Sequence, residues 1–424
     1  MKKVSFFRLT LSTFILSVCL FVVSCGGAVG TKADSSVSAQ ADDSARSDKH
    51  VIILSMDGFR WDYTLNAHTP TLDSLRRVGT YSQMMPIYPS NTFPSHYSMA
   101  TGLHPNNHGI TNNGFYNAEL DRNMSVFNLE DCNSEGFWGG EPIWNTVEFQ
   151  GGIANIFMWP GSEYPINDHQ ATVWRKYDHN QDYFDRANNV IEAMQKSEEE
   201  VPNLVMWYMP DPDEVGHHYG PNSPERIARV EYIDTVLSYF FAKMRETPYF
   251  DKINFIVTSD HGMAELSEER YINLYGVIDN SKVQQCVPGS PFCFNVDEDY
   301  IDEAVEKLNK VGNFRAFRGD SMPEKYHFGT HPTRCTNVII IPDMGWKLDY
   351  SEQDGKLPKG GSHGFDSFEN EMQVVFFGAG PNFKRGYNHS TFQNQNIYLV
   401  LCHLLDLEPA PNDGSWEDIK EMFK

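Results

Sequence analysis

Three short, mostly apolar segments of the chain each run into an aspartate. They are residues 51–56 before Asp57-Gly58, residues 203–210 before Asp211-Pro212-Asp213, and residues 253–259 before Asp260-His261-Gly262. Such segments are typical of strands that are buried on both faces of a parallel sheet. In open α/β sheets the ligand lies beyond the carboxyl ends of the strands, so these carboxylates are expected at one sheet edge. Carboxylates held close together repel each other unless a cation lies between them, so the pattern predicts a metal site.

Strand-like and helix-like segments alternate from residue 50 onward. This alternation predicts an α/β fold with a doubly wound, mostly parallel central sheet flanked by helices. Between about residues 265 and 350 the sequence becomes rich in loops, which predicts a small inserted α+β subdomain covering one edge of the site. The predicted strands are 51–56, 153–158, 204–209, 253–257, 337–341 and 373–378, and the predicted helices are 71–78, one following Pro94, 224–245, 299–311 and 396–405.

The N-terminus has the layout of an export signal. In residues 1–24, three basic side chains precede an apolar stretch that is too short for a confident membrane span. The small residues before Cys25 resemble a bacterial lipoprotein signal, which predicts a lipidated Cys25 and an exported protein anchored in a bacterial cell envelope. A plain cleaved signal peptide is the alternative. Residues 25–49 are rich in Ser, Ala, Gly and Asp and are expected to form a flexible tether.

Charge and cysteine content limit the partners and cross-links. The formal net charge is −23, which argues against nucleic-acid polymers and anionic membranes as general partners. A small anion can still bind where the site carries its own cations. Five cysteines follow Cys25, and an export signal permits disulfides. Cys286 and Cys293, separated by a short loop-like segment, are the most plausible pair.

Asp213 and His217 are four residues apart, so a helix or tight turn would direct both side chains to one face. A carboxylate and an imidazole are suitable ligands for Zn²⁺. The pair alone is a weak signal, because such pairs are usually solvated. Asp211 competes with Asp213 as a ligand, and the spacing to His217 favours Asp213.

Two further histidines lie where the backbone can turn sharply. Asp260 and His261 follow a predicted strand, and Gly262 permits the turn that would let both coordinate a metal. His363 lies on a glycine-rich loop, where the backbone can approach a ligand closely. No single requirement of the fold explains all of these positions. The candidate metal ligands are therefore Asp57, Asp213, His217, Asp260, His261 and His363.

Thr92 is the candidate nucleophile. Pro94 fits the first turn of a helix, which places Thr92 at or just before the helix N-terminus. A hydroxyl there either caps the helix or faces the unpaired N–H groups of an anion site. A metal at the same place would lower the pKa of the hydroxyl and make it a nucleophile.

Seven short motifs stand out along the chain. They are Asp57-Gly58, Thr92-Phe93-Pro94-Ser95-His96-Tyr97, His108-Gly109-Ile110-Thr111-Asn112-Asn113, Trp159-Pro160-Gly161, Pro212-Asp213 with Gly216-His217, Asp260-His261-Gly262-Met263, and His363-Gly364-Phe365. Their order resembles that of type I nucleotide pyrophosphatase/phosphodiesterases, a family of the alkaline phosphatase superfamily. The resemblance extends from about residue 50 to about residue 415, so residues 50–424 are identified as a phosphodiesterase catalytic domain.

The resemblance implies two zinc ions and a phosphorylated threonine intermediate. One zinc would be held by Asp213, His217 and His363, and the other by Asp57, Thr92, Asp260 and His261. Asn113 would bind a phosphate oxygen, and the aromatic substrate-binding positions would be Phe93, Trp159, Tyr177 and Tyr208. The implied substrates are small anionic phosphodiesters such as nucleotides, which would yield nucleoside 5′-monophosphates. No sequence-specific nucleic acid is implied.

Other functions share parts of this chemistry. Asn91 and Ser95 stand where many relatives have Lys and Asn, and this difference bears on the preference for nucleotides. A choline-lysophospholipid phosphodiesterase is the main enzymatic alternative, followed by a phosphomonoesterase. From another class, the chain could be an anchored binding lipoprotein that keeps a zinc site without turnover. Thr92 and Asn113 favour an enzyme.

Overall fold

The computed structural model describes residues 48–424. The expected signal peptide, Cys25 and the tether as far as residue 47 lie outside the described residues. Within residues 48–424, no helix combines the length and the apolar character needed to cross a membrane.

Helices and strands alternate along the described part of the chain. The helices are α1 (Pro70–Val78), α2 (Thr92–Thr101), α3 (Pro105–His108), α4 (Leu129–Cys132), α5 (Ile143–Phe149), α6 (Tyr183–Ala193), α7 (Asp213–Tyr219), α8 (Pro224–Met244), α9 (Ile301–Asn309) and α10 (Ile397–Leu405). The strands are β1 (His50–Met56), β2 (Thr80–Met85), β3 (Gly114–Asn117), β4 (Arg122–Ser125), β5 (Ala154–Phe157), β6 (Val173–Arg175), β7 (Leu204–Met209), β8 (Ile253–Thr258), β9 (Ala264–Glu265), β10 (Tyr271–Asn273), β11 (Val283–Val287), β12 (Phe292–Val296), β13 (Phe314–Arg318), β14 (Val338–Pro342), β15 (Lys347–Asp349), β16 (Gly361–Ser362), β17 (Val374–Ala379), β18 (Tyr387–Asn388) and β19 (Phe392–Gln393).

A nine-stranded sheet forms the centre of the fold. Its strand order is β18-β2-β17-β8-β1-β7-β5-β6, and β19 also pairs with β2. Only β17 runs against its neighbours β8 and β2, and the other pairs in this sheet are parallel. The predicted mostly parallel sheet is therefore confirmed.

Side chains from alternate positions of each central strand enter two separate cores. On β1, Val51 and Ile53 face the core under α2, α5 and α10, whereas Ile52 and Leu54 face the core under α1, α6 and α8. Strands that bury both faces must be apolar throughout, which is why β1, β7 and β8 are recognisable as apolar segments. Helices on both faces give the doubly wound arrangement.

The parallel register brings the ends of three strands to one level. Ser55 of β1 pairs with Tyr208 of β7 and with Thr258 of β8. The residues that follow these strands therefore emerge together at the carboxyl edge of the sheet. This edge is where the ligand sites of open α/β sheets lie.

A smaller α+β unit is inserted between β9 and β16, which pair with each other. It contains the antiparallel sheet β11-β12-β14-β13 and helix α9, with an apolar core of its own. The chain returns from this unit directly before His363. The insertion therefore ends at a candidate site residue.

The expected disulfide between Cys286 and Cys293 is wrong. The five cysteines of the described residues are free. Cys286 pairs with Phe294 and Cys293 pairs with Val287 on the neighbouring strands β11 and β12. Successive residues of a strand point to opposite faces, so the two thiols lie on opposite sides of the small sheet. Cys293 enters the apolar cluster that contains Tyr88, whereas Cys286 packs against the core under α9.

Candidate active site

The turn after β1 joins two of the strand-end aspartates. The backbone N–H of Asp213 donates to the carbonyl of Asp57 over 3.0 Å, and the N–H of Asp57 donates to Met209 over 2.9 Å. Gly58 has φ +68°, and a Cβ there would lie 2.8 Å from Cα of Asp213. A glycine is therefore required both for the left-handed conformation and for the close approach of the two loops.

The turn after β8 is held against the chain before β17. The N–H of Gly262 donates to the carbonyl of Met372 over 2.8 Å. A Cβ on Gly262 would lie 2.0 Å from the carbonyl oxygen of Glu371. Only glycine fits this approach, which places Asp260 and His261 side by side at the sheet edge.

Asp213, His217 and His363 form the first cluster. Nε2 of His217 lies 3.4 Å from Oδ1 of Asp213 and 3.1 Å from Nε2 of His363. Nδ1 of His217 donates to the carbonyl of Gly361, and Nδ1 of His363 donates to the carbonyl of Ser90. Both Nε2 atoms therefore present lone pairs to each other.

Neither Nε2 atom is protonated near pH 7, so the two lone pairs face each other without a proton between them. Burial lowers the pKa of His217 and lowers that of His363 further, so both rings are neutral near pH 7. Two imidazole lone pairs and a carboxylate that converge on one point suit a cation such as Zn²⁺. The carbonyl partners of the two Nδ1 atoms fix the ring orientations that such coordination requires.

Asp57, Thr92, Asp260 and His261 form the second cluster. Nε2 of His261 lies 3.1 Å from Oδ1 of Asp57, 3.2 Å from Oδ2 of Asp260 and 3.2 Å from Oγ1 of Thr92. Its Nδ1 faces the carbonyl of Gly262 at 2.9 Å. Single ligand atoms of Asp57, Asp213 and His261 also lie within 4.8 Å of one another, so Asp213 stands between the two clusters.

Three carboxylate oxygens at the centre of these clusters lack a well-formed hydrogen bond, although two of them lie 3.1 and 3.2 Å from Nε2 of His261. They are Oδ1 of Asp57, Oδ1 of Asp213 and Oδ2 of Asp260, and each is buried. Burial and the charge of Asp57 raise the pKa of Asp213 and that of Asp260 well above the usual range. Burial opposes the charge of His261, but the three carboxylates outweigh it and raise its pKa to about 10. The oxygens face a common space and are the donor type that a divalent cation needs, so the residues fit a metal centre.

Asp211 is engaged elsewhere. Its Oδ2 accepts hydrogen bonds from the Tyr183 hydroxyl and, over 2.8 Å, from Nη1 of Arg229. Asp213, and not Asp211, belongs to the clusters that could hold a metal ion. The geometry thus favours Asp213 between the two candidates.

Thr92 is the first residue of α2, with Asn91 as the residue before the helix. The amide oxygen of Asn113 accepts a hydrogen bond from the backbone N–H of Phe93 over 3.1 Å. Because its oxygen is used in this way, the amide of Asn113 can offer its Nδ2 group as a donor at the start of α2. A helix start and a side-chain amide next to a hydroxyl form an arrangement suited to a tetrahedral anion.

The four expected substrate-binding aromatics occupy different environments. Phe93 is partly exposed and contacts Phe127 edge-on, with ring centroids 5.6 Å apart. Tyr177 is 39% exposed. Trp159 requires a correction, because it is fully buried and donates Nε1 to the carbonyl of His96 over 3.2 Å. Its ring supports the helix that carries Thr92 and is not open to a substrate.

Tyr208, expected only as a substrate-binding aromatic, also donates a hydrogen bond to Asp57, which the sequence did not indicate. It is 8% exposed, and its hydroxyl donates to Oδ2 of Asp57 over 2.5 Å. Burial and the Asp57 charge raise the pKa of Tyr208 well above its ordinary value, so the hydroxyl keeps its proton. This bond leaves Oδ1 of Asp57 directed at His261.

Sequence reasoning also missed the polar groups that hold Thr92 in place. His96 is fully buried, with Nδ1 on the carbonyl of Thr92 at 2.8 Å and Nε2 on Oγ of Ser55 at 2.8 Å. Asn91 donates Nδ2 to Oδ1 of Asn112 and to the carbonyl of Ser290, each over 2.7 Å. The sequence offered two signals for these contacts. They are the polar residue His96 four positions after Thr92, and the adjacent pair Asn112-Asn113.

A family model described as type I phosphodiesterase / nucleotide pyrophosphatase matches residues 51–366. The chain belongs to this family. It is 32% identical over 388 residues to human ectonucleotide pyrophosphatase/phosphodiesterase family member 1, covering 88% of this chain and 42% of that relative. It is 30% identical to human family member 5 over 383 residues, covering 88% of this chain and 78% of the relative. The chain thus spans less than half the length of family member 1.

Solved structures of family members share the fold. The structure of murine family member 5 has a TM-score of 0.82 with 29% identity, and covers 89% of this chain and 100% of that chain. An inactive threonine-to-alanine variant of the same murine protein, in complex with AMP, has the same TM-score and coverage. These likenesses confirm the fold predicted for the phosphodiesterase/nucleotide pyrophosphatase family.

Proposed function

We propose that this protein is a zinc-dependent phosphodiesterase and nucleotide pyrophosphatase with Thr92 as its nucleophile. Its products would be nucleoside 5′-monophosphates. One observation carries the proposal: the Thr92 hydroxyl lies 3.2 Å from Nε2 of His261, at the start of a helix and beside two clusters of metal-binding groups. A binding protein without turnover would not need a hydroxyl held at this point.

The two clusters would each hold one Zn²⁺, with Asp213, His217 and His363 at the first and Asp57, Thr92, Asp260 and His261 at the second. When bound, zinc supplies positive charge that lowers the pKa of a hydroxyl or water and stabilises negative charge on the reacting oxygens. The carboxylate oxygens that lack a well-formed hydrogen bond and the opposed imidazole lone pairs support this assignment.

Side chains of the protein would supply the nucleophile, the contact to a phosphate oxygen and the orientation of the nucleophile. Thr92 Oγ1 would form a bond to phosphorus while the bond from phosphorus to the leaving oxygen breaks, and a water would then release the phosphoryl group from the threonine. Asn113 would donate Nδ2–H to a non-bridging oxygen, and such a contact is worth ~3 kcal/mol in a transition state. His96 holds the backbone of Thr92, which keeps the hydroxyl oriented.

Two exposed or partly exposed aromatic side chains, Phe93 and Tyr177, support a substrate with a planar base. Phe93 packs near Trp138, with ring centroids 6.4 Å apart, and is partly exposed. The exposed Tyr177 is held by a hydrogen bond from its backbone N–H to the Glu163 carboxylate over 2.7 Å. The complex of the murine relative with AMP agrees with nucleotides as the substrate class.

The test is hydrolysis of the 4-nitrophenyl ester of thymidine 5′-monophosphate by the full-length, zinc-loaded protein. We expect turnover that a chelator abolishes and that added zinc restores. Thr92→Ala should lower kcat by at least about a thousandfold while keeping most of the metal. Thr235→Ala is the matched control, because Thr235 lies on an exposed turn of α8, and its rate should equal that of the wild type.

The outcomes separate the alternatives. Faster turnover of 4-nitrophenyl phosphorylcholine would identify a choline phosphodiesterase, and faster turnover of 4-nitrophenyl phosphate would identify a phosphomonoesterase. Turnover by Thr92→Ala at the wild-type rate would refute the nucleophile. Bound zinc without hydrolysis of any of the three esters would indicate the non-catalytic alternative.

We further propose that the protein is exported and held in a bacterial cell envelope by a lipid on Cys25. The basic start, the apolar stretch and the small residues before Cys25 support this. In an expressing bacterium, the wild-type protein should sediment with membranes and Cys25→Ala should appear in the soluble fraction. Equal distribution of the two proteins would contradict the anchor.

A further inference from the structure

A cleft with uncharged walls opens beside Thr92. It has a volume of about 450 Å³ and lies between the start of α2, the hairpin β3–β4 and residues 287–290, which join β11 to β12. This size is within the range of small-molecule sites. We call it the amide cleft, defined by Asn91, Asn112, Asn113, Asn123, Ser290 and His363.

The walls of the amide cleft carry hydrogen-bonding groups but no counter-ions. Among residues 48–424, those lining it include four asparagines and three serines, and none is a lysine, arginine, aspartate or glutamate. Asn91 is 7% exposed and cross-links the walls through its bonds to Asn112 and Ser290. The walls are therefore held together and present neutral donors and acceptors.

The cleft borders the proposed site through two shared residues. It shares Asn113 with the proposed phosphate-oxygen contact and His363 with the first cluster. The aromatic side chains Phe93 and Tyr177 do not line it. A phosphodiester carries two groups on phosphorus, so with a base on the aromatic side the other group would extend into the amide cleft.

Resting on the function proposed above, we infer that the amide cleft receives the leaving group and selects a neutral, hydroxyl-bearing one, such as a nucleoside or sugar alcohol, over pyrophosphate. Amide and hydroxyl groups pair well with alcohols. Apart from the zinc that His363 would help to hold, a multiply charged leaving group would meet no cation in this cleft, inside a protein of net charge −23.

The reaction balances for both kinds of leaving group. The bond from Thr92 Oγ1 to phosphorus forms as the hydroxyl proton passes to solvent, and the bond from phosphorus to the leaving oxygen breaks. The bonding electrons stay on that oxygen, which takes a proton from solvent when the product is an alcohol. Water then cleaves the phosphothreonine and yields the 5′-monophosphate. The two substrates thus differ only in what must occupy the cleft.

The experiment compares two substrates that leave the same nucleotide on Thr92. They are the dinucleotide thymidylyl-(3′→5′)-thymidine, whose leaving group is a nucleoside, and thymidine 5′-triphosphate, whose leaving group is pyrophosphate. The full-length, zinc-loaded protein is assayed without added magnesium, because magnesium would neutralise the triphosphate. We expect kcat/KM to be at least about tenfold higher for the dinucleotide.

A charge placed in the cleft should shift this preference. Asn123 is exposed and lines the cleft, so Asn123→Lys adds a cation there, and the ratio of triphosphate to dinucleotide kcat/KM should rise by about tenfold. Asn388→Lys is the matched control, since Asn388 is exposed on β18 outside the cleft, and its ratio should equal that of the wild type.

Each result has a distinct meaning. A wild-type preference for the triphosphate, or equal ratios in Asn123→Lys and Asn388→Lys, would overturn the inference and leave the proposed function standing. Hydrolysis of neither substrate, nor of the nitrophenyl ester, would refute the proposed function itself and the inference with it.

Discussion

Replacement of Tyr208 by Phe removes one hydroxyl and tests whether the proposed metal centre depends on the groups that hydrogen-bond to its ligands. The hydroxyl donates to Oδ2 of Asp57 over 2.5 Å, and both residues are buried. A hydrogen bond to a charged group contributes about 1.5 to 3 kcal/mol. Loss of the partner of a metal ligand typically lowers metal affinity by about 10- to 100-fold. The two magnitudes agree, since about 1.4 kcal/mol corresponds to a factor of ten.

The assay is competition for zinc between the protein and a chelator of known affinity. Tyr208→Phe should lose one zinc at a chelator concentration about 10- to 100-fold lower than the wild type requires. Tyr239→Phe is the control, because its hydroxyl donates to Asn188 over 2.7 Å on the surface of α8 and α6. It should bind zinc as the wild type does. Wild-type zinc affinity in Tyr208→Phe would refute the role given to this hydroxyl.

Three further predictions concern the scaffold of the site. Burial tends to raise the pKa of Asp366, but hydrogen bonds from Arg315 and Tyr326 hold this pKa below its usual value. The Asp366 carboxylate therefore stabilises the folded protein above about pH 4, and this stabilisation is lost as the pH falls through the lowered pKa. The free energy of unfolding of Asp366→Asn in urea at pH 6 should therefore be about 1 to 3 kcal/mol lower than that of the wild type, and this difference should narrow below pH 4. A difference that does not change with pH would contradict this. Trp207→Ala should cost about 3 to 5 kcal/mol in the same assay, because the ring is 1% exposed in the core under α8; a cost below about 1 kcal/mol would contradict this. Gly262→Ala should lower the unfolding midpoint, because its Cβ would clash with Glu371, and an unchanged midpoint would refute the tight turn.

Three central strands were predictable from the sequence for a physical reason. Strands β1, β7 and β8 bury both faces, so their apolar segments define them to within a residue or two. The edge strand β6 was missed because all three of its residues are exposed, which leaves no apolar pattern. The antiparallel direction of β17 was also hidden, since a doubly buried strand has the same composition in either direction.

The sequence pointed to the Asp and His residues that the structure brings together and to the position of Thr92, but not to the contacts among them or to the burial of Trp159. Thr92 lies at the start of α2, where Pro94 in the first turn placed it. The hydrogen bond from Tyr208 to Asp57 depends on the pairing of Ser55 with Tyr208 in neighbouring strands. This register cannot be deduced from the sequence of either strand alone. The Cys286–Cys293 pairing failed for the same reason, because closeness in sequence does not show which face of a sheet each thiol occupies.

The central claim is that Thr92 attacks phosphorus before water does. The most direct measurement uses a nucleotide phosphorothioate ester of known configuration at phosphorus, hydrolysed in ¹⁸O-labelled water. Two successive in-line displacements, first by Thr92 and then by water, predict retention of configuration. Inversion would show a single displacement by water and would contradict the account.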